Sequence, residues 1–182
     1  MVDNSGQASN YSIASASSDI TQRPLNLSGS RAYDSTRTAS GSDLSFTNIV
    51  SGETLGLTGS GVLDSPAAGS RTIVNTNTLA ISDGSGIATN YTLTNGTLTM
   101  TIVPRSTTVS GTKTYDGTTN VASSNLTSFS NLAGSDTLSL SGTGTTSTAD
   151  VGTGKTVNAS GLTIDNSSGC LLYTSDAADD SL

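Results

Sequence analysis

An all-β chain built from tandem modules is what this sequence predicts, on three observations. Aliphatic side chains alternate with polar ones over short runs, small-residue turns separate those runs, and a pattern close to 80 residues long comes back along the chain. The composition fits. Charged residues make up 12% and hydrophobic ones 32%, the gap being filled by Ser, Thr, Asn and Gly. A disordered chain is normally richer in charge and Pro, and only 3 of the 182 residues are Pro. Many β-branched Thr between small turn residues suit strands and turns instead.

Taken in order, the strands show as pairs of leucines spaced by two. Leu25 and Leu27, Leu55 and Leu57, and Leu138 and Leu140 each alternate with polar or small neighbours, the period of a half-buried strand. The run Tyr91–Met100 predicts a hairpin. Asn95-Gly96 suits the positive φ of a type I′ turn, which would set Leu93 opposite Leu98 and Tyr91 opposite Met100 on one face. No stretch has a helical apolar period.

The repeat gives the domain organisation. Thr54-Leu-Gly-Leu-Thr-Gly-Ser-Gly61 returns as Thr137-Leu-Ser-Leu-Ser-Gly-Thr-Gly144, and Ser28-Gly-Ser-Arg-Ala-Tyr-Asp34 as Ser110-Gly-Thr-Lys-Thr-Tyr-Asp116. Asp3-Asn-Ser-Gly-Gln-Ala-Ser-Asn-Tyr11 returns as Asp83-Gly-Ser-Gly-Ile-Ala-Thr-Asn-Tyr91, and Leu79-Ala-Ile81 as Leu162-Thr-Ile164. The chain divides into the end of a preceding module (1–22), a complete module (23–104) and a truncated one (105–169) that lacks the counterpart of Asn90-Tyr91 through Ile102. Both ends are expected to be cut from a longer protein. The expected architecture is a string of small β-sandwich-like (Ig-like) modules rather than a continuous β-helix. Residues 170–182 are set apart, because Cys170 to Asp180 resembles the in-frame translation of a transposase sequencing adapter. That tail is expected to be unstructured, and its Cys170 is the only cysteine.

Short motifs in register with the repeat resemble a known family. Tyr33-Asp34 and Tyr115-Asp116-Gly117-Thr118-Thr119 resemble the YDG-type modules found in tandem in filamentous haemagglutinin-like bacterial adhesins, exoproteins of two-partner secretion. The segments Ile20-Thr-Gln-Arg-Pro24 and Ile102-Val-Pro-Arg105 resemble that family's links, and Asn10-Tyr11 and Asn90-Tyr91 its closing strand. One departure stands out: Ser35 occupies the place of the motif glycine, which puts in doubt a glycine requirement there. The resemblance implies a secreted or surface-displayed protein, exported by an outer-membrane partner that reads an N-terminal domain not found in this sequence.

Composition narrows the function. The formal charge is −7 and His is absent. A basic face for nucleic acid is therefore not expected, and the commonest general base is missing. No apolar run is long enough for a membrane-spanning helix, and Met1–Asn10 lacks the apolar core of a signal peptide. Ser and Thr are plentiful, but none has a partner placed to activate it. Tyr33, Asp34, Tyr115, Asp116 and Gly117 are expected to be structural, a buried ring followed by an Asp-Gly turn. Asp83-Gly-Ser-Gly and Asp3-Asn-Ser-Gly each offer one carboxylate, too few for calcium. Gly59-Ser-Gly61 and Gly142-Thr-Gly144 lack the lysine of a phosphate loop. Val151-Gly-Thr-Gly-Lys-Thr156 reads as a strand-entry turn. Lys113 and Lys155 read as solvated cations, not as cross-linking residues, because Arg31 and Arg71 replace them in the first copy. The expectation is a non-enzymatic stalk region of an adhesin-like exoprotein, with no cofactor or metal and with neighbouring repeats as partners. A glycan- or host-surface-binding module is the alternative.

Overall fold

The computed structural model describes residues 11–166. Its regular structure is β throughout, interrupted only by three-residue 3-10 turns, so the all-β class follows the sequence pattern. Residues 1–10 and the tail from 170, including Cys170, lie outside the described residues.

The first module is closed by its own two ends. β1 (Arg23–Pro24) and β2 (Leu27–Ala32) run parallel to β9 (Tyr91–Thr92) and β10 (Thr99–Val103). β10 also pairs antiparallel with β7 (Gly69–Asn75). β7 continues to β6 (Ser60–Leu63) and β3 (Thr38–Ser40), while β2 continues to β4 (Leu44–Phe46). The resulting order is β3-β6-β7-β10-β2-β4. β5 (Leu55–Thr58) and β8 (Ala80–Asp83) form a separate antiparallel ladder.

The chain path forces this sheet to roll. β3 and β4 stand at opposite edges, yet only the turn Gly41–Asp43 joins them. Laid flat, six strands would separate the edges by about 24 Å. The four Cα steps from Ser40 to Leu44 reach at most about 15 Å. The sheet therefore curls until its two edges face a common interior. There Leu27, Ala39, Leu44, Leu63, Ile73, Leu98, Met100 and Ile102 make one cluster. Each large aliphatic side chain fully buried in it contributes about 1.5–3 kcal/mol before ordering costs.

The hairpin expected at Tyr91–Met100 does not form. Asn95 takes a φ of 62°, but Gly96 is not among the positive-φ glycines, so the second condition of a type I′ turn is unmet. Residues 93–97 bulge out of a single strand path instead. The Leu25 N–H donates to Thr92 O at 2.8 Å on one side of the bulge, and the Leu27 N–H to Thr97 O at 2.9 Å on the other. The Asn26 side chain accepts the Thr97 N–H at 2.8 Å. A parallel neighbour thus satisfies more backbone groups than an isolated two-residue loop would. Gly96 is needed for close approach: a Cβ there would lie 1.8 Å from Leu25 O. Tyr91, Leu98 and Met100 are nonetheless buried, as their alternation requires.

The second module repeats part of this plan. β11 (Thr108–Ser110) pairs with β13 (Ser128–Ser130), as β2 does with β4. β14 (Leu138–Thr145) covers the places of β5 and β6 and pairs with β12 (Asn120–Ala122) and β15 (Leu162–Asn166). Glycine contacts fix the correspondence. Gly29 and Gly111 press on Asp43 O and Asn125 O, and Gly61 and Gly144 on Ile73 and Val157. Among the described residues nothing takes the place of β10. Residues 152–158, the counterpart of β7, keep only the bridge Thr145–Asn158, so the strand entry expected at Val151–Thr156 leads into no strand. Ten of the thirteen buried apolar residues described belong to 23–104 and three to 105–166.

Met100 is 1% exposed at the centre of the rolled sheet. Met100→Ala is expected to destabilise the first module by about 2–5 kcal/mol in chemical denaturation. Amide exchange should find β2, β7 and β10 more protected than β11 and 152–158; equal protection would contradict the closing role of β10.

Candidate functional site

The Tyr-Asp turns are built on one Asp-centred bonding pattern in both modules. At the end of β2 the Tyr33 N–H donates to Val103 O at 2.9 Å, and the ring packs half-buried against the core. One oxygen of Asp34 then gathers the turn. It accepts the Thr36 N–H at 2.9 Å and the Thr36 hydroxyl at 2.8 Å, and it is ion-paired with Arg31. Arg31 spans the loop, donating to Thr36 O at 2.7 Å and Thr38 O at 3.1 Å. In the second module Asp116 accepts the Thr118 N–H and hydroxyl, both at 2.9 Å, and pairs with Lys113 at 2.6 Å. Lys113 also donates to Thr118 O at 2.8 Å. Lys113 is therefore a turn clamp and not the solvated cation expected from sequence. Lys155 likewise donates to the Thr148 hydroxyl at 2.9 Å.

The residue after each Asp sits in the left-handed region, Ser35 at φ 65° and Gly117 at φ 77°. The serine thus replaces the motif glycine without removing the conformation the glycine serves. A Cβ on Gly117 would touch nothing within 4 Å, so the demand there is purely dihedral. The rings differ. Tyr115 is 64% exposed, unlike Tyr33, because the strand end that flanks Tyr33 has no counterpart among the described residues.

These bonds set the acidity of the turns. The Lys113 ammonium, followed by the Thr118 N–H and hydroxyl, holds Asp116 down at about 2. Burial pushes Asp34 up, but the bonds from Thr36 and Arg31 outweigh it and leave its carboxyl below the ordinary value. The Tyr91 hydroxyl donates to the Glu53 carboxylate; that bond and burial push the pKa of the phenol above its ordinary value.

The first turn also faces the second module. Arg105 Nη1 donates to Tyr33 O at 3.4 Å, while its Nε and Nη2 donate to Asn131 O at 2.8 Å and Asn131 Oδ1 at 2.7 Å. The Asn131 side chain donates to Ser106 O at 2.8 Å. A Cβ on Gly134 would lie 2.8 Å from the Ser35 hydroxyl. The same clamp stands at the head of the first module. Arg23 Nε donates to Asn48 O at 2.9 Å, and the Asn48 side chain accepts the Asn26 N–H and donates to Pro24 O. Sequence reading marked Arg23 and Arg105 as links but missed both asparagines. The signal was present in Ser45-Phe-Thr-Asn48 and Ser128-Phe-Ser-Asn131.

The other singled-out motifs do local work. Asp83 accepts the Ala88 N–H at 2.7 Å and so holds a turn; Asp3 lies outside the described residues. Gly59 at φ 80° and Gly142 at φ 90° admit the carbonyls of Thr78 and Gly161. Among the described residues, no three His, Cys, Asp or Glu side chains are grouped to hold a metal.

Compared with protein families, the sequence matches the YDG domain twice, over residues 21–100 and 96–170. The chain belongs to the YDG domain family. No curated protein and no solved structure matches it. In this tandem YDG pair the two Asp-centred turns share one bonding pattern, with a different clamping cation, a different left-handed residue and a tyrosine that is half-buried in the first module and exposed in the second.

Two tests follow. Asp116 contributes stability in full above the ordinary carboxylate pKa, and the contribution is lost as pH falls from about 4 through about 2. Lys113→Met, which removes the leading cause, should move the Asp116 carboxyl titration, followed by NMR, back toward its ordinary value. Gly117→Ala should cost about 1–2 kcal/mol through its positive φ alone, and a neutral result in thermal melts would refute the dihedral role.

Proposed function

We propose that this chain is a stalk region of a secreted or surface-displayed bacterial adhesin-like exoprotein, akin to the filamentous haemagglutinin group. Its YDG modules space or present binding regions and perform no catalysis. The observation that carries the reading is the junction. β10 runs through Val103 and Pro104 straight into Arg105, whose guanidinium joins the Tyr33 carbonyl of one module to Asn131 of the next. The link is two residues of strand and proline with a five-donor side chain pinned at three points, which leaves little freedom for tumbling. Arg23 and Asn48 repeat the within-module half of this contact at the head of the first module. Neighbouring repeats are then the principal partners, and export by an outer-membrane partner belongs to the same reading.

Small-angle scattering tests it. The full chain should give one narrow distribution of dimensions, and Arg105→Ala should broaden it while leaving the thermal midpoint of the first module in place. An already broad distribution in the unaltered chain would remove the basis for a spacer.

A further inference from the structure

Among the described residues, glycine directly follows an Asp or Asn at Asp83-Gly84, Asn95-Gly96 and Asp116-Gly117. With no Cβ in the way, the glycine nitrogen and the preceding side-chain carbonyl carbon are the two atoms that would close a five-membered succinimide ring. The fold withholds those atoms at two of the places. One Asp116 oxygen accepts the Thr118 N–H and hydroxyl and pairs with Lys113, which holds its carboxyl down at about 2. Near neutral pH it is an ionised carboxylate and a poor electrophile. Asp83 accepts the Ala88 N–H at 2.7 Å, and the Gly84 N–H donates to Gly86 O at 3.1 Å.

Asn95 is different in each respect. It carries a neutral amide, is exposed, and has no hydrogen bond to its side chain among the described residues. It lies in the 93–97 bulge, where the ladders of β9 and β10 are interrupted. The Gly96 N–H makes one long bond, 3.4 Å to Leu93 O. Asn131 is the contrast. It too is left-handed, at φ 61°, but both ends of its amide are bonded, to Arg105 and to Ser106 O, and leucine follows it.

We propose that Asn95-Gly96 is a site of spontaneous modification, at which the Gly96 nitrogen attacks Asn95 Cγ and the asparagine becomes a mixture of isoaspartate and aspartate. The Gly96 N–H gives its proton to hydroxide. The N–Cγ bond forms, the Cγ–Nδ2 bond breaks, and Nδ2 leaves as ammonia after taking a proton from water. Water then opens the ring. Attack at Cγ restores the original main chain with an aspartate side chain. Attack at the Asn95 carbonyl carbon leaves the main chain running through Cβ and Cγ, one carbon longer. In sum, an amide and a water become a carboxylate and an ammonium ion. The two products differ in effect. Aspartate keeps the chain length and tolerates the left-handed region. Isoaspartate lengthens the chain beside Gly96, whose backbone lies so close to Leu25 O that a Cβ would be 1.8 Å from it. The added carbon strains the pairing that resumes at Thr97, whose carbonyl accepts the Leu27 N–H and whose N–H donates to Asn26.

Peptide mapping of the full chain, aged in heavy-oxygen water at mildly alkaline pH, tests this. Residue 95 should take up one heavy oxygen and split into isoaspartate and aspartate ahead of every other asparagine, with no isoaspartate at residues 83 and 116. If residue 95 stays intact while a free peptide of residues 91–100 converts alongside, the fold protects the site and the proposal is overturned. Aspartate as the sole product would also overturn it, since that marks direct hydrolysis without the ring. Amide exchange then reads the consequence. Asn95→Asp should keep the protection of β10, and the isoaspartate fraction, separated by chromatography, should lose it. Equal protection in the two would overturn the strain assigned to the longer chain.

Discussion

Everything in the complete module depends on the parallel closure of its first strand by its last. Among the described residues β10 is the only strand paired with both β2 and β7, and the core cluster draws Leu98, Met100 and Ile102 from that path. A closure of this kind joins residues some 70 positions apart, so its loop entropy is met only when the whole module is in place. That makes the module one cooperative unit. It also explains why the second copy, with most strands in register, buries so little.

The repeat made much of this legible. Strand positions, the Tyr-Asp turns and the correspondence between copies all follow from period-2 leucines and from residues that return together. The pairing partner of Tyr91–Met100 was not legible. Asn95-Gly96 satisfies a local rule, whereas the competitor is a backbone 70 residues away that no local rule sees. The alternation still placed Tyr91, Leu98 and Met100 inside, because burial depends on the face a residue takes and not on which strand lies beside it.

The turns show a different limit. Residue type at Ser35 argued against a left-handed position, yet Asp34, Thr36 and Arg31 make enough bonds to hold a serine there. The cation four residues before the motif's third position, Arg31 or Lys113, is as much part of the turn as the tyrosine. Asn48 and Asn131 were hidden for a simpler reason. Among so many Ser, Thr and Asn residues, one asparagine carries no signal until a partner arginine is placed next to it.

The parallel arrangement has a mechanical consequence. β1 enters the module at one end of the shared ladder, and β10 leaves at the other. Tension along the chain therefore pulls the two neighbouring strands past each other, loading their hydrogen bonds together in shear and not one at a time as in unzipping. A module closed this way resists stretching along its own axis far better than a hairpin-closed one, without any additional bond.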